Sequence, residues 1–555
     1  MKKLRWQLII IFLTGLLVGI LLLADQPGGP VTSLTPQPAR GGVYTEALIG
    51  SLQRLNPVLD YANPVDREVN RLIFSGLVRF DARGVPVPDL AETYGIAKDG
   101  TVYNFALKPN LRWHDGEPVT ADDVVFTIDL IRTGGEWVPE DIRSFWEEID
   151  VIVLSDTDLQ FRLPEPFAPF LDYLAFGILP QHILGGKTLE QVVNEPFNLQ
   201  PVGTGPYRFD QLVVEDGKIT GVMLKANELY YEQPPFIEQF IFRYYPDSAA
   251  ALQAYRNEVV QGIGYVSPDV LAQALAEPDL AVYSGRQPQL SMVLFNLKDP
   301  EVAFFEDKEV RQALLKGTNR QWLVDRLLGS QAIVADGPIM PGTWAYYDNL
   351  PRIAFDVEAA RAQLKRAGYV EPAEGDPIRQ KDGRALSFTL LYPDTQLHRQ
   401  IAEVIQKNWS DLQVEVKLEA VPYDQLVNER LANREFQAAL VDLNLTRSPD
   451  PDPYPFWDQA QATGGQNYSQ WDNRNASEYL EQARVTADLG ERARLYRNFQ
   501  VVFSDETPAL TLYYPVYTYA VDRGVQGVQM GPLFDSSDRF ATAAQWFMQA
   551  TVGGQ

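Results

Sequence analysis

The sequence predicts an α/β protein built as several lobes, and three observations lead there. The chain has 555 residues, room for three or four lobes at about 150 residues each. Apolar residues make up 45% and aromatic residues 11%, enough for a large core and against disorder. Short runs rich in strand formers alternate with helical patterns, and no repeat of 20–50 residues marks a solenoid or propeller.

In chain order, Lys2, Lys3 and Arg5 precede an uncharged, mostly apolar run from Trp6 to Ala24. Its 19 residues span about 28 Å as a helix, enough to cross a hydrocarbon core. The positive flank stays in the cytoplasm and places the rest outside. An uncleaved anchor fits better than the rival reading, a cleaved signal peptide, because the run is long and Leu22 interrupts the small-x-small pattern before Ala24. Residues 25–42 carry four Pro and four Gly and read as a tether.

Strands are expected at Val102–Leu107, from Tyr207, at Phe240–Tyr244, Met292–Phe295, Leu386–Tyr392 and Val414–Leu418. Helices are expected between them. Thr120 caps one with Val124, Val125, Ile128 and Ile131 on its apolar face, and Asp356 caps a second that stops at Gly368. Leu397–Leu412 and Arg492–Phe503 have similar spacing.

Net charge is −25, which argues against nucleic acid and against wide docking on anionic lipid. The absence of cysteine excludes disulfides, thiolate metal sites, thiol nucleophiles and thiol lipidation. No GxSxG elbow, HExxH, Walker loop or GxGxxG is present. His114, His182 and His398 are far apart and lack metal-ligand spacing, so they read as structural. Neither a catalytic residue, a metal nor a cofactor is expected. Aromatic clusters on loops are the candidate lining of a ligand cleft, or of the packing between lobes: Trp344, Tyr346 and Tyr347; Tyr454, Phe456 and Trp457 beside the proline-rich Ser448–Pro455; Tyr468 and Trp471.

Residues 73–126 run IFSGLVRFDARGVPVPDLAETYGIAKDGTVYNFALKPNLRWHDGEPVTADDVVF. In order they carry GL-x-x-x-D, P-x-LAE-x-Y, DG-x-x-Y-x-F-x-L and WHDG-x-P-x-TA-x-DV. This closely resembles the signature of the family 5 solute-binding proteins of ABC importers, the oligopeptide, dipeptide and nickel type. Further blocks at Leu179–Ile183, Pro201–Phe209, Asp307–Arg320, Asp356–Tyr369, Asn467–Leu480 and Asp505–Tyr513 are similar as well, so the resemblance covers roughly 43–548.

The resemblance implies a three-lobed periplasmic-binding-protein-like fold (class C, type II) with a ligand cleft between two main lobes. Lobe Ia comprises 43–80, 199–288 and 515–548, lobe Ib 81–198 and lobe II 289–514, with a tail at 549–555 and crossings near 285–292 and 510–518. It implies hinge closure on an extended ligand held through its backbone. The expected partners are a short peptide or a solute of similar size, an ABC permease and ATPase, and the membrane through the N-terminus, with the protein a monomer. A sensing receptor, a chaperone-like module, and nickel-chelate, opine or oligosaccharide binding are the alternatives on the same fold. The DG and HDG elements are expected to be turns, not ligand contacts.

In several relatives an aspartate four residues before a proline in the late loop holds the ligand's amine. Here that position is Arg447 before Pro451 and Pro449 before Pro453, with Asp442 and Asp450 out of register. Arg447 suits an anionic group; pairing with Asp450 or Asp452 is its alternative. Asn296, Trp344, Tyr346, Arg447, Asp450, Trp457, Tyr468 and Trp471 are the expected ligand contacts.

Overall fold

The structure, a computed structural model, describes residues 38–371, 377–446 and 449–549. The expected anchor at 1–24, most of the tether and Arg447 lie outside the described residues. Among the described residues no helix is long and apolar enough to cross a membrane.

Twelve strands form the main sheet: β1 Val43–Ile49, β2 Tyr207–Glu215, β3 Lys218–Ala226, β4 Gln239–Tyr245, β5 Gly262–Ile263, β6 Leu280–Arg286, β7 Gln289–Phe295, β8 Ala332–Val334, β9 Ser387–Pro393, β10 Glu415–Val421, β11 Ala438–Asn444 and β12 Ala509–Asp522. Their order is β10-β9-β11-β7-β12-β5-β1-β4-β3-β2, with β6 and β8 also on β12. Pairs β9–β10, β9–β11, β1–β5 and β1–β4 are parallel.

The 14-residue β12 pairs with four strands, β5, β6, β7 and β8. Its first half pairs with β7 from Ser291↔Tyr513 to Leu294↔Ala509, and its second with β6 from Leu280↔Asp522 to Arg286↔Val516. Pro515, which has no N–H to give, sits where the partner changes, and its carbonyl accepts from Gln287 N at 2.9 Å. Pro288 falls between β6 and β7.

Apolar side chains gather in two large clusters and a small one. One large cluster runs from Leu290 to Tyr514 and adds Phe534. The other combines Tyr44–Phe242 with Tyr517–Trp546. Within the second, Ala91–Ile96, Val102–Leu107, Asp158–Arg162 and Asp150–Val153 make a separate antiparallel sheet in that order. Tyr103, Phe105 and Leu107 alternate inward there, as their spacing requires.

The expected strands and helices form with shifts of a few residues at their ends. The helix capped by Thr120 is Ala121–Arg132, with a reciprocal capping box to Asp123. Asp356 accepts from Ala359 N at 2.8 Å to start Val357–Arg366, and Gly368 follows at φ +92. Gln396–Ser410 and Leu489–Glu506 are the remaining two.

Buried ions tie the chain's distant parts together. The Arg539 guanidinium, fully buried, donates to Glu46 Oε1 at 2.6 Å and Glu68 Oε2 at 2.7 Å. The Tyr44 and Tyr519 hydroxyls each donate to Glu46 Oε2 at 2.7 Å. Every oxygen of the buried carboxylate therefore has a donor, which is the condition for burying charge. Gly262 passes this cluster where a Cβ would meet the Tyr44 hydroxyl at 1.9 Å.

The HDG element of the signature block is a turn, as expected. Trp113 is buried and donates to Asp123 Oδ2 at 3.3 Å. The HDG turn closes with Trp113 N to Glu117 O at 2.9 Å. His114 Nδ1 accepts from Gly203 N at 3.1 Å and Nε2 donates to Gly205 O at 3.0 Å, fastening that turn to the GTGPY segment. Burial lowers the His114 pKa to about 4 against an ordinary 6.5 or so. As pH falls the unfolded chain takes up this proton first. The stability His114 carries is whole above about pH 6.5 and is lost between there and about pH 4, to the extent of about 3 kcal/mol. NMR of the three imidazoles should show His114 titrating near the bottom of that range. His114→Gln should show a smaller fall in unfolding free energy between pH 7 and pH 4.5 than wild type, measured by urea denaturation.

Candidate functional site

Two stretches far apart in sequence meet at the short helical turn Ala168–Leu174 and the proline-rich loop at 449–453. The Asp172 carboxylate accepts from Asp450 N at 2.7 Å. The Asp450 carboxylate is itself buried and pairs with Arg492 Nη1 at 2.5 Å, and it accepts from the Tyr496 hydroxyl at 3.2 Å. Asp452 pairs with Arg484 at 3.1 Å. The Arg484 guanidinium lies over Tyr454 at 4.4 Å and over Phe167 at 5.0 Å, so it too touches both stretches. Arg492 lies over Trp344 at 5.1 Å.

The helices Arg474–Val485 and Leu489–Glu506 supply both guanidinium groups, and each begins with a side-chain cap, Asn473 or Asp488. Prolines at 449, 451 and 453 keep the loop out of helix and strand. The cluster holds three carboxyl groups and two guanidinium groups. Burial, and then the Asp450 carboxylate beside it, push the Asp172 carboxyl well above the usual range. Burial raises Asp452 to about 6 against the pull of Arg484. Crowded with Asp450 and buried, Asp172 is thus favoured in its protonated form where two segments close on each other.

Of the expected ligand contacts, Trp344 and Asp450 belong to this cluster. Tyr346 is half-buried and follows Trp344, whose N–H donates to Arg83 O at 2.9 Å. Tyr468 is half-buried under the Arg434 guanidinium, 5.0 Å away. Three others turn inward and correct the expectation drawn from their loops. Trp457 and Trp471 are each 3% exposed. Both pack edge-on against Phe503, at 4.7 and 6.0 Å, because burying two indoles outweighs leaving them to a ligand. Asn296 spends its amide on Arg434 O and Phe436 O, both at 3.0 Å, and its oxygen on Lys298 N and Gln470 Nε2. Asp450 and Asp452 pair with Arg492 and Arg484, which sequence reasoning did not single out; nor did it single out Asp172. A lone aspartate in FLDYLAF and two arginines on amphipathic helices carry no local signal.

The comparisons with known proteins bear on this arrangement. The model of the bacterial extracellular solute-binding proteins, family 5, matches residues 85–516. The chain belongs to that family. It is an extracellular-type solute-binding protein, and its α/β architecture is that of solved members. The oligopeptide-binding protein AppA of Bacillus subtilis is 27% identical over 514 residues, covering 90% of this chain and 91% of the relative. The dipeptide-binding protein of Escherichia coli is 25% identical over 526 residues, covering 90% and 95%. The structure of AppA from Bacillus subtilis with a nonapeptide superposes with TM-score 0.65 at 25% identity, over 93% of this chain and all of that one. NikZ from Campylobacter jejuni with Ni(L-His) gives 0.66 at 25% identity, over 91% and 99%.

Asp172→Asn keeps an acceptor for Asp450 N and removes a charge that burial disfavours. A raised carboxyl pKa means that stability is lost as pH rises and the acid ionises. The variant should therefore melt about 2–4 °C above wild type at pH 8, with the gap closing toward pH 5. A variant that melts lower at pH 8 would show that Arg492 needs the Asp172 charge.

Proposed function

We propose that this solute-binding protein captures a short peptide, or a solute of similar size, and delivers it to the permease and ATPase of an ABC importer. The observation that carries the reading is the alignment with oligopeptide- and dipeptide-binding proteins along nine-tenths of this chain and of theirs. The ligand lies between a lobe built on 43–288 with 515–548 and a lobe built on 289–514, and the joint is the strand pair that changes partners at Pro288 and Pro515. Closing that joint on the ligand shifts the population of a state the free protein already visits. Tyr346 and Tyr468, the half-buried members of the expected set, face the ligand, and Arg447 holds an acidic group of it. The protein acts as a monomeric binder without catalysis. Residues 1–24 remain as an uncleaved helix that holds it to the outer face of the membrane, on the strength of the basic flank and the apolar run.

Mass spectrometry of the purified full chain under native conditions should reveal co-purified species of peptide mass, released on unfolding. Calorimetry with mixed short peptides should give dissociation constants of about 1 μM or tighter, some −8 kcal/mol. Sugars or opines released in their place would overturn the peptide reading. Cell fractionation should leave the protein on membranes after a high-salt wash; a mature N-terminus near Asp25 with all protein soluble would overturn the anchor.

A further inference from the structure

The turn Ala168–Leu174 and the loop at 449–453 belong to different apolar clusters. Phe170, Leu171 and Leu174 pack into the cluster that begins at Tyr44. Trp344, Trp457, Tyr496 and Phe499, which surround the loop's partners, pack into the cluster that begins at Leu290. The link between turn and loop is polar. Asp172 accepts from Asp450 N at 2.7 Å, and Arg484 reaches over Phe167 at 5.0 Å. Beside them a Cβ on Gly100 would stand 3.1 Å from Pro166 and 3.8 Å from the Val485 carbonyl, and Val485 is 52% exposed at the rim. A small polar contact of this kind can part and re-form, whereas a shared apolar core cannot.

The groups that face Asp172 come from four elements. The loop brings the Asp450 and Asp452 carboxylates, Leu489–Glu506 brings Arg492 and Tyr496, Arg474–Val485 brings Arg484, and its own turn brings Tyr173. Both guanidinium groups are committed elsewhere. Arg492 pairs with Asp450 at 2.5 Å and donates to Ala483 O and the Tyr496 hydroxyl. Arg484 pairs with Asp452 at 3.1 Å. Among the described residues Asp172 receives one main-chain N–H and no side-chain donor. An ionised carboxylate brought here from water loses hydration and meets two like charges. It gains one hydrogen bond, which the neutral acid keeps as well. Burial, and then Asp450, accordingly hold the Asp172 carboxyl well above its usual range. Burial also raises Asp452 to about 6, so a second carboxyl titrates beside it.

We infer that this contact is a proton-coupled latch: Asp172 takes up a proton from solvent as the two segments close on each other, and returns it as they part. With the segments apart Asp172 is an ordinary solvated aspartate. The closed carboxyl holds its proton more tightly than the open one. Closure is therefore strongest below the ordinary aspartate range, about pH 4, and weakens by up to about tenfold per pH unit from there to the raised closed-state value. A ligand that binds the closed state inherits this slope and takes up as much as one proton as it binds. Acid favours capture, and neutral surroundings favour release. The latch rests on the contact itself; its coupling to cargo rests on the peptide reading above.

The first test needs no ligand. Prolines at 449, 451, 453 and 455 leave only Ser448, Asp450, Asp452 and Tyr454 with a main-chain N–H over 448–455, so hydrogen exchange across this stretch of the full chain resolves the Asp450 amide. Corrected for intrinsic exchange, its protection should fall about tenfold or more from pH 5.5 to pH 7.5 in wild type. Asp172→Asn keeps the acceptor without the charge and should hold protection level. Level protection in wild type overturns the latch. A fall that Asp172→Asn keeps and Asp452→Asn removes overturns it as well, because Asp452 would then carry the proton.

The second test is calorimetry with trialanine at the same two pH values. The wild-type dissociation constant should rise about tenfold or more, and that of Asp172→Asn by clearly less. Comparing the two proteins cancels the peptide's own titration. Equal slopes in both proteins, with exchange still dependent on pH, overturn the latch as a device for closing on cargo. No binding of trialanine or pentaalanine, with the exchange result intact, overturns the peptide reading and leaves the latch.

Discussion

One strand constrains the rest of this molecule. Ala509–Asp522 is buried over most of its length and gives its first half to one ladder and its second half to another. Two large apolar clusters meet along it, one ending at Tyr514 and the other resuming at Tyr517. A slip of one residue would turn each inward side chain outward in both halves together. Pro515 lies where that strand passes from β7 to β6, and there a residue without an N–H does no harm.

The row that includes Asp442 takes its position from this frame. Asp442 and Ser291 stand in register with Tyr513, on the same strand that joins the halves. The Asp172–Asp450 contact spans the two large clusters' segments. In each place a carboxylate is held with fewer donors than it has lone pairs, against the general rule that buried polar groups are satisfied. Glu46, by contrast, receives Arg539 and two tyrosine hydroxyls, and His114 uses both ring nitrogens.

Much of the fold was legible because its signals are local. Thr120 and Asp356 cap the helices expected of them, Gly368 stops one, and the strand-forming runs at Phe240–Tyr244 and Met292–Phe295 pair as strands. The site was legible only in part, because it is made by convergence. Asp172 and Asp450 are 278 positions apart, and nothing in either neighbourhood names the other. Loop aromatics misled for a related reason. Trp457 and Trp471 follow turn residues just as Trp344 does, yet Phe503 on a later helix draws the first two inward while Arg492 covers the third. Composition records that an indole is present, not which face of the chain arrives to cover it.

The pairing of Glu46 with Arg539 has a consequence in time as well as space. The cluster that begins at Tyr44 is completed only by Tyr517–Trp546, so its core and its buried ion cluster cannot close until nearly the whole chain has been made. Contacts of such long sequence separation form late and slowly. Until then Glu46 has no guanidinium, and the first half of the protein lacks the strand that seals it. The halves brought together by Glu46 and Arg539 are thus committed to one another only when Tyr517–Trp546 joins Tyr44–Phe242.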